Sequence, residues 1–179
     1  MERAREYRHP PAPSAFVAGL AGLAASWWTQ RDLASGPHLG SLAALWGGAF
    51  LVAFAGVVVF TSRAARREGI PFWSPLAKDV VHSLWPPFVA AAALTVALAR
   101  EGRLELVAPL WLLAYGVGGI SAGAFASPIV RWLGAAFFVA GLAQLVHGLP
   151  PGCALGVTFG GFHLVYGVAL LCLRGRDGR

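Results

Sequence analysis

Five residues of this chain could carry chemistry by their type and position: His163, Tyr166, Tyr115, Gln144 and His147. Each lies inside or at the end of a long apolar run, where a polar group is costly and marks a contact to a solute, an ion or a neighbouring helix. His163 falls about ten residues into the last run, Ala154 to Leu173, and therefore near its midpoint. An imidazole at that depth can bind a neutral solute, pass a proton, or bridge two helices as a neutral hydrogen-bonding group. Tyr166 follows at i+3 on an adjoining face, and Tyr115 lies in an earlier run. His147 closes the run before the last, with Gln144 at i−3.

What is missing around these residues narrows the chemistry. No Asp, Glu, Lys or Arg lies well inside any apolar run; Asp79, Arg131 and Glu105 all sit at run ends. That pattern argues against a carboxylate proton relay, a voltage sensor and charge-coupled transport. His147 and His163 differ by about 10 Å in helical rise, and His82 lies near the opposite surface. A bis-histidine haem site is disfavoured by those depths, and three histidines at three depths make no metal site. No cofactor and no metal are expected. Cys153 and Cys172 would be about 28 Å apart on one helix, beyond disulfide reach. There is no nucleophile elbow, Walker loop or zincin helix, so no catalytic residue is assigned and enzyme activity has little support.

The elements that must position these residues are set by composition. Of the 179 residues, 57% are hydrophobic and 12% charged, about half the charge of a soluble domain. Mean hydropathy is +0.64. The fold class expected is all-α, a polytopic transmembrane bundle of six spans in one domain, residues 13–173, between a cytoplasmic arm (1–12) and a basic tail (174–179). The spans are about 13–29, 39–60, 79–99, 105–126, 129–149 and 152–173, most of them near the ~20 residues that cross a ~30 Å hydrocarbon core. The first is the shortest. Its Arg3, Arg5 and Arg8 followed by an apolar stretch resemble a signal peptide, but Trp27-Trp28 follow the small residues Ala24-Ala25-Ser26 at once, which suits a span ending in an aromatic belt.

Charge sets the orientation. Net charge is +6, and thirteen of the fourteen basic residues are Arg. With both termini cytoplasmic, the inner segments carry eleven of them and the outer loops only Arg31, Arg100 and Arg103. Basic residues clustered at run ends fit anionic headgroups, not a nucleic-acid face. The expected location is the plasma (inner) membrane, and the expected partners are membrane lipids, a second copy of the chain or another membrane protein, with no nucleic acid.

Several local signals refine this plan. Glycines recur every fourth residue at Gly152, Gly156 and Gly160, with His163 and Gly167 expected on the same face, and Gly119 and Gly123 form a GxxxG pair; all six glycines are expected to serve close helix packing. Leu45-Trp46-Gly47-Gly48 reads the same way. Thr61 to Lys78 reads as the longest loop, in which Arg63, Arg66, Arg67 and Trp73 are candidates for lipid or partner contact. Ser74-Pro75 and Ser127-Pro128 both carry an N-cap followed by Pro at the first helical position. Pro86-Pro87 is expected to kink or interrupt the third span. The string A-x-L-W-x-x-A-aromatic occurs at 43–50 and 108–115, and Tyr115-Gly116-Val117 recurs as Tyr166-Gly167-Val168. Three weakly repeated helical hairpins would explain this.

Trp132 with Gly134, Gly141, Pro150-Pro151, Gly160 and Gly167 resembles the hairpin unit of HdeD-like small six-span proteins, over about fifty residues. The resemblance implies a bacterial inner-membrane protein linked to stress, and brings no chemistry with it. Three functions are then open. The first is a non-enzymatic structural or regulatory membrane component acting through protein or lipid contacts. The second is a small transporter or channel for a neutral or weakly polar solute, with His163 near the midplane. The third is a membrane-embedded redox or lipid-modifying enzyme resting on the histidines.

Overall fold

A computed structural model describes residues 11–35 and 39–177. Among the described residues every regular element is helical: α1 Ala12–Ser35, α2 Leu39–Glu68, α3 Pro75–Arg100, α4 Val107–Ala122 behind a single 3-10 turn Leu104–Leu106, and α5 Pro128–His147. A final continuous helix follows in three parts, α6 Pro151–Leu155, a π-helical segment Gly156–Phe162, and α7 His163–Asp177. Five of these helices are long and apolar enough to cross a membrane, Leu39–Glu68, Pro75–Arg100, Leu104–Ala122, Pro128–His147 and Pro151–Leu173. The chain is a multi-pass helical bundle by architecture.

The first helix stands outside that set. It has 24 residues, yet its inward side carries Ser14, Ser26 and Thr29, all nearly fully buried. Each hydroxyl returns a hydrogen bond to its own helix: Ser14 to the Pro11 carbonyl (2.6 Å), Ser26 to Leu23 (2.9 Å) and Thr29 to Ala25 (2.8 Å). Local back-bonding of this kind lets a hydroxyl enter an apolar interface without a partner across it. A helix of modest hydropathy is thus well buried, packed on α2 along one side and on the whole final helix along the other. Its exposed end carries Trp27 and Trp28, with the Arg31 guanidinium 4.8 Å and 6.0 Å from their ring centres.

Glycine decides the closest contacts. A Cβ on Gly119 would lie 2.9 Å from the Gly134 Cα, and one on Gly123 would lie 2.5 Å from the Arg131 nitrogen. Those pairs let the α4 and α5 backbones touch, the tightest crossing in the bundle. Along the final helix, a Cβ on Gly152 would meet Gln30, one on Gly156 would meet Ser26, one on Gly160 would meet Leu23 and one on Gly167 would meet Phe16. All four partners belong to α1. The same face of α1 supplies Gly19 and Gly22, where an added Cβ would meet Leu164 and the Phe159 backbone of the final helix. Gly47 and Gly48 differ from the sequence expectation. Nothing lies within 4 Å of either, because α2 packs mainly on α1 and turns this face outward.

Tryptophan makes the same bond twice. Trp46 on α2 donates its indole N–H to the Thr29 hydroxyl (2.9 Å), and Trp111 on α4 donates to the Thr95 hydroxyl (3.0 Å). Thr95, like Thr29, passes its own proton to a carbonyl four residues back, that of Ala91 (2.7 Å). The two tryptophans are the ones in the repeated string.

Four further expectations are corrected. Thr61–Lys78 is not a long loop: α2 continues to Glu68, because Ala64-Ala65-Arg66-Arg67 are strong helix formers, and only residues 69–74 are irregular. Gly69 stops the helix at φ +68°, with the Ile70 N–H returned to the Ala65 carbonyl (3.1 Å), as a Schellman end requires. Pro86-Pro87 does not interrupt α3, whose helix runs unbroken from Pro75 to Arg100. Ser74 caps α3 as expected, accepting from the Ala77 N–H (3.2 Å), but Ser127 does not cap α5. There the Val130 N–H bonds the Ser127 carbonyl instead (3.1 Å), and the hydroxyl is buried without a partner. Finally, α4 ends at Ala122, four residues short of the expected run. Gly36-Pro37, whose dipeptide is a turn signal between the first two runs, lies outside the described residues.

Candidate functional site

The five candidate residues do not converge. Tyr115 and His163 meet; the other three lie elsewhere. His147 is exposed at the end of α5. Gln144 is buried, donates its Nε2 to the Leu149 carbonyl (2.6 Å) and leaves Oε1 without a partner, so it pins the α5–α6 turn. Tyr166 packs beside Ala12, Ala15 and Leu170 between α1 and α7, a turn away from His163.

The Tyr115–His163 pair is built by the π-helical segment. Thr158 sends its hydroxyl to the Ala154 carbonyl (2.8 Å), with a longer contact to Leu155 (3.3 Å), while Gly156, Gly160 and Gly161 remove side-chain resistance to a wider turn. His163 emerges at the end of that segment. Its Nδ1 lies 3.0 Å from the Phe159 carbonyl, which can only accept, so the proton sits on Nδ1. Nε2 is then an acceptor, and the Tyr115 hydroxyl, 2.7 Å away, donates to it. Both ring nitrogens of a neutral imidazole are satisfied.

Aromatic rings fill the surroundings. Tyr115 lies 4.4 Å from Phe137 and 5.3 Å from Phe159 between ring centres, and Phe137 lies 5.4 Å from the His163 ring. Several of these contacts are tilted or edge-on, the arrangement that π quadrupoles favour. Phe88 of α3 stacks on Tyr115 at 5.9 Å, and Trp46 of α2 reaches Phe159 at 5.4 Å. One aromatic cluster therefore ties α2, α3, α4, α5 and the final helix together around a single hydrogen-bonded pair. Phe137 is completely buried and His163 is 7% exposed.

The glycine face and the imidazole prove to be separate surfaces. The glycines of the final helix seat α1, whereas the His163 ring turns to the shoulder facing α4 and α5. Sequence reasoning named both members of the pair but not their partnership, and it missed Phe137, Phe159 and Phe88. The spacing of Tyr115 and His163, on helices far apart in the chain, carries no signal that they meet.

Outside this centre, an open apolar groove lies along α5, lined by Trp132, Ala135, Ala136, Val139, Ala140 and Phe162. Among the described residues, no three His, Cys, Asp or Glu side chains are grouped as metal ligands would be. Arg63, Arg66, Arg67 and Trp73 are all exposed at the α2–α3 corner. No protein-family model matches the chain, and no curated protein or solved structure is detectably similar to it.

Proposed function

We propose that this chain is a six-span inner-membrane protein with both termini cytoplasmic, acting as a non-enzymatic structural or regulatory component through contacts with lipid or with another membrane protein. The observation that supports this reading is the occupied centre. The one midplane imidazole has both nitrogens engaged inside a packed aromatic cluster, which leaves it no free donor or acceptor for a solute. The positive-inside count supports the orientation, and α1 is taken as the sixth span because its 24 residues pack along the whole final helix. The paired Trp–Thr bonds support a repeat relating α1–α2 to α3–α4, with α5 and the final helix as the third hairpin.

The test is accessibility. In a chain with Cys153→Ala and Cys172→Ala, a His163→Cys thiol is expected to resist small charged thiol reagents added from either side of the membrane. Rapid modification from one side would sink this reading and favour a second one, a pathway for a neutral or weakly polar solute. That second reading has one observation of its own: the π-helical segment beside the pair, an irregularity frequent at functional sites.

A further inference from the structure

We infer that the α2–α3 corner is a binding site for anionic phospholipid, in which Arg63, Arg66 and Arg67 hold the headgroup phosphate and Phe72 and Trp73 flank the upper acyl region. This rests on the reading above, that the chain spans the membrane, and names the lipid chemistry of its contacts.

The geometry begins with Ala65, which is 1% exposed and therefore points into the protein. At about 100° per residue, Arg63, Arg66 and Arg67 then fall within an arc of about 100° on the opposite side of α2. All three are exposed. They start two residues beyond the apolar stretch that ends near Thr61, so their Cα atoms lie roughly 3–9 Å past it, at headgroup depth. Among the described residues none of them, nor the exposed Lys78, pairs with a carboxylate, although Glu68 and Asp79 lie close in sequence. The corner stays net positive when both acids are counted. Guanidinium is suited to this role, since its planar fork matches phosphate oxygens in pairs.

Aromatic residues complete the site. Phe72 and Trp73 are 38% and 55% exposed with ring centres 6.5 Å apart, at the turn that joins α2 to the Ser74-capped start of α3. An indole beside exposed arginines at a helix end is an arrangement for the membrane–water interface, apolar toward the acyl chains and polar toward the headgroups. They flank a span whose large side chains Phe50, Leu51, Val52 and Phe54 are also outward, so in a membrane-spanning chain the apolar surface leading to the corner faces the acyl chains.

The experiment uses the full chain reconstituted in nanodiscs of phosphatidylcholine with a minority of phosphatidylglycerol, extracted in mild detergent, with the retained lipid quantified by mass spectrometry. Wild type is expected to retain phosphatidylglycerol in preference to phosphatidylcholine. Each basic residue near an anionic surface changes binding by about fivefold, so R63Q/R66Q/R67Q should lose roughly tenfold or more of that preference. R100Q/R103Q, at the other end of the bundle, should keep it. R63K/R66K/R67K conserves charge and should lose less, and it serves if the neutral variant does not fold. Equal retention by wild type and R63Q/R66Q/R67Q, or no preference in wild type, overturns the inference. So does complete displacement of retained lipid by glycerol phosphate, which would make the corner a soluble-phosphate site, and so does loss of a co-purifying protein with lipid retention unchanged. Carbonate extraction separates the two levels. A chain washed from the membrane defeats the membrane reading itself, whereas a carbonate-resistant chain without lipid preference defeats this inference alone.

Discussion

Tyr115→Phe removes one oxygen atom and should reveal how much the buried pair contributes to the fold. The ring and its contacts with Phe137, Phe159 and Phe88 stay in place. The loss is the 2.7 Å hydrogen bond to His163 Nε2, and the imidazole is left with an acceptor facing aromatic carbon. A buried polar group stranded in this way costs about 1–3 kcal/mol in soluble proteins. Hydrogen bonds between membrane helices average about 0.6 kcal/mol, with a maximum near 1.7, because the unfolded state in lipid finds other partners. The His163 site lies toward the upper end, since Nδ1 is already committed to the Phe159 carbonyl (3.0 Å) and the ring cannot turn to a new donor without breaking that bond. Tyr115→Phe should therefore destabilise by about 1–1.5 kcal/mol. His163→Phe keeps an aromatic ring but strands the tyrosine hydroxyl and frees the Phe159 carbonyl, so it should cost at least as much. In the His163→Phe background, Tyr115→Phe should cost nothing or restore a little, because the stranded hydroxyl disappears. The coupling energy from the four proteins, measured by reversible unfolding in mixed detergent micelles followed by circular dichroism, should be about 1 kcal/mol or more. Additive effects of the two substitutions would refute the assigned pair.

The remaining predictions concern packing. Gly134→Ala should destabilise strongly, by about 2–4 kcal/mol on the scale of overpacked cores and backbone displacement, because its Cβ would lie 2.6 Å from the Gly119 carbonyl carbon. Gly47→Ala and Gly48→Ala, with nothing within 4 Å, should be neutral or stabilise by about 0.5–1 kcal/mol through helix propensity; thermal melting monitored by size-exclusion chromatography separates these outcomes. Trp46→Phe and Trp111→Phe should each lose about 0.5–1.5 kcal/mol, and Thr29→Val and Thr95→Val should lose similar amounts, since each pair shares one bond (2.9 and 3.0 Å). A large effect at one pair with none at the other would weaken the proposed repeat.

Much of the architecture was legible in the chain itself. Apolar runs near twenty residues predict spans because a bilayer accepts only segments that satisfy their own backbone hydrogen bonds, and five such helices are present. The fourfold glycine spacing predicts a close-packed face because residues four apart share one side of a helix. Ends were less legible. Arg63, Arg66 and Arg67 look like loop residues in a hydropathy reading, yet they extend α2 by two turns, since charge does not oppose a helix that has left the hydrocarbon.

Partnership belongs to the tertiary structure alone. Periodicity places His163 and the glycines on one face, but it cannot say which neighbour each atom of that face meets. The π-helical segment and the packing order decide it: the glycines receive α1, and the imidazole receives the Tyr115 hydroxyl from a helix 48 residues earlier. The same holds for α1, whose modest hydropathy hides its burial between α2 and the final helix. A sequence reports what each helix can offer to its surroundings. Which offers are taken up depends on distances between segments remote in the chain, and these are set when the whole bundle packs.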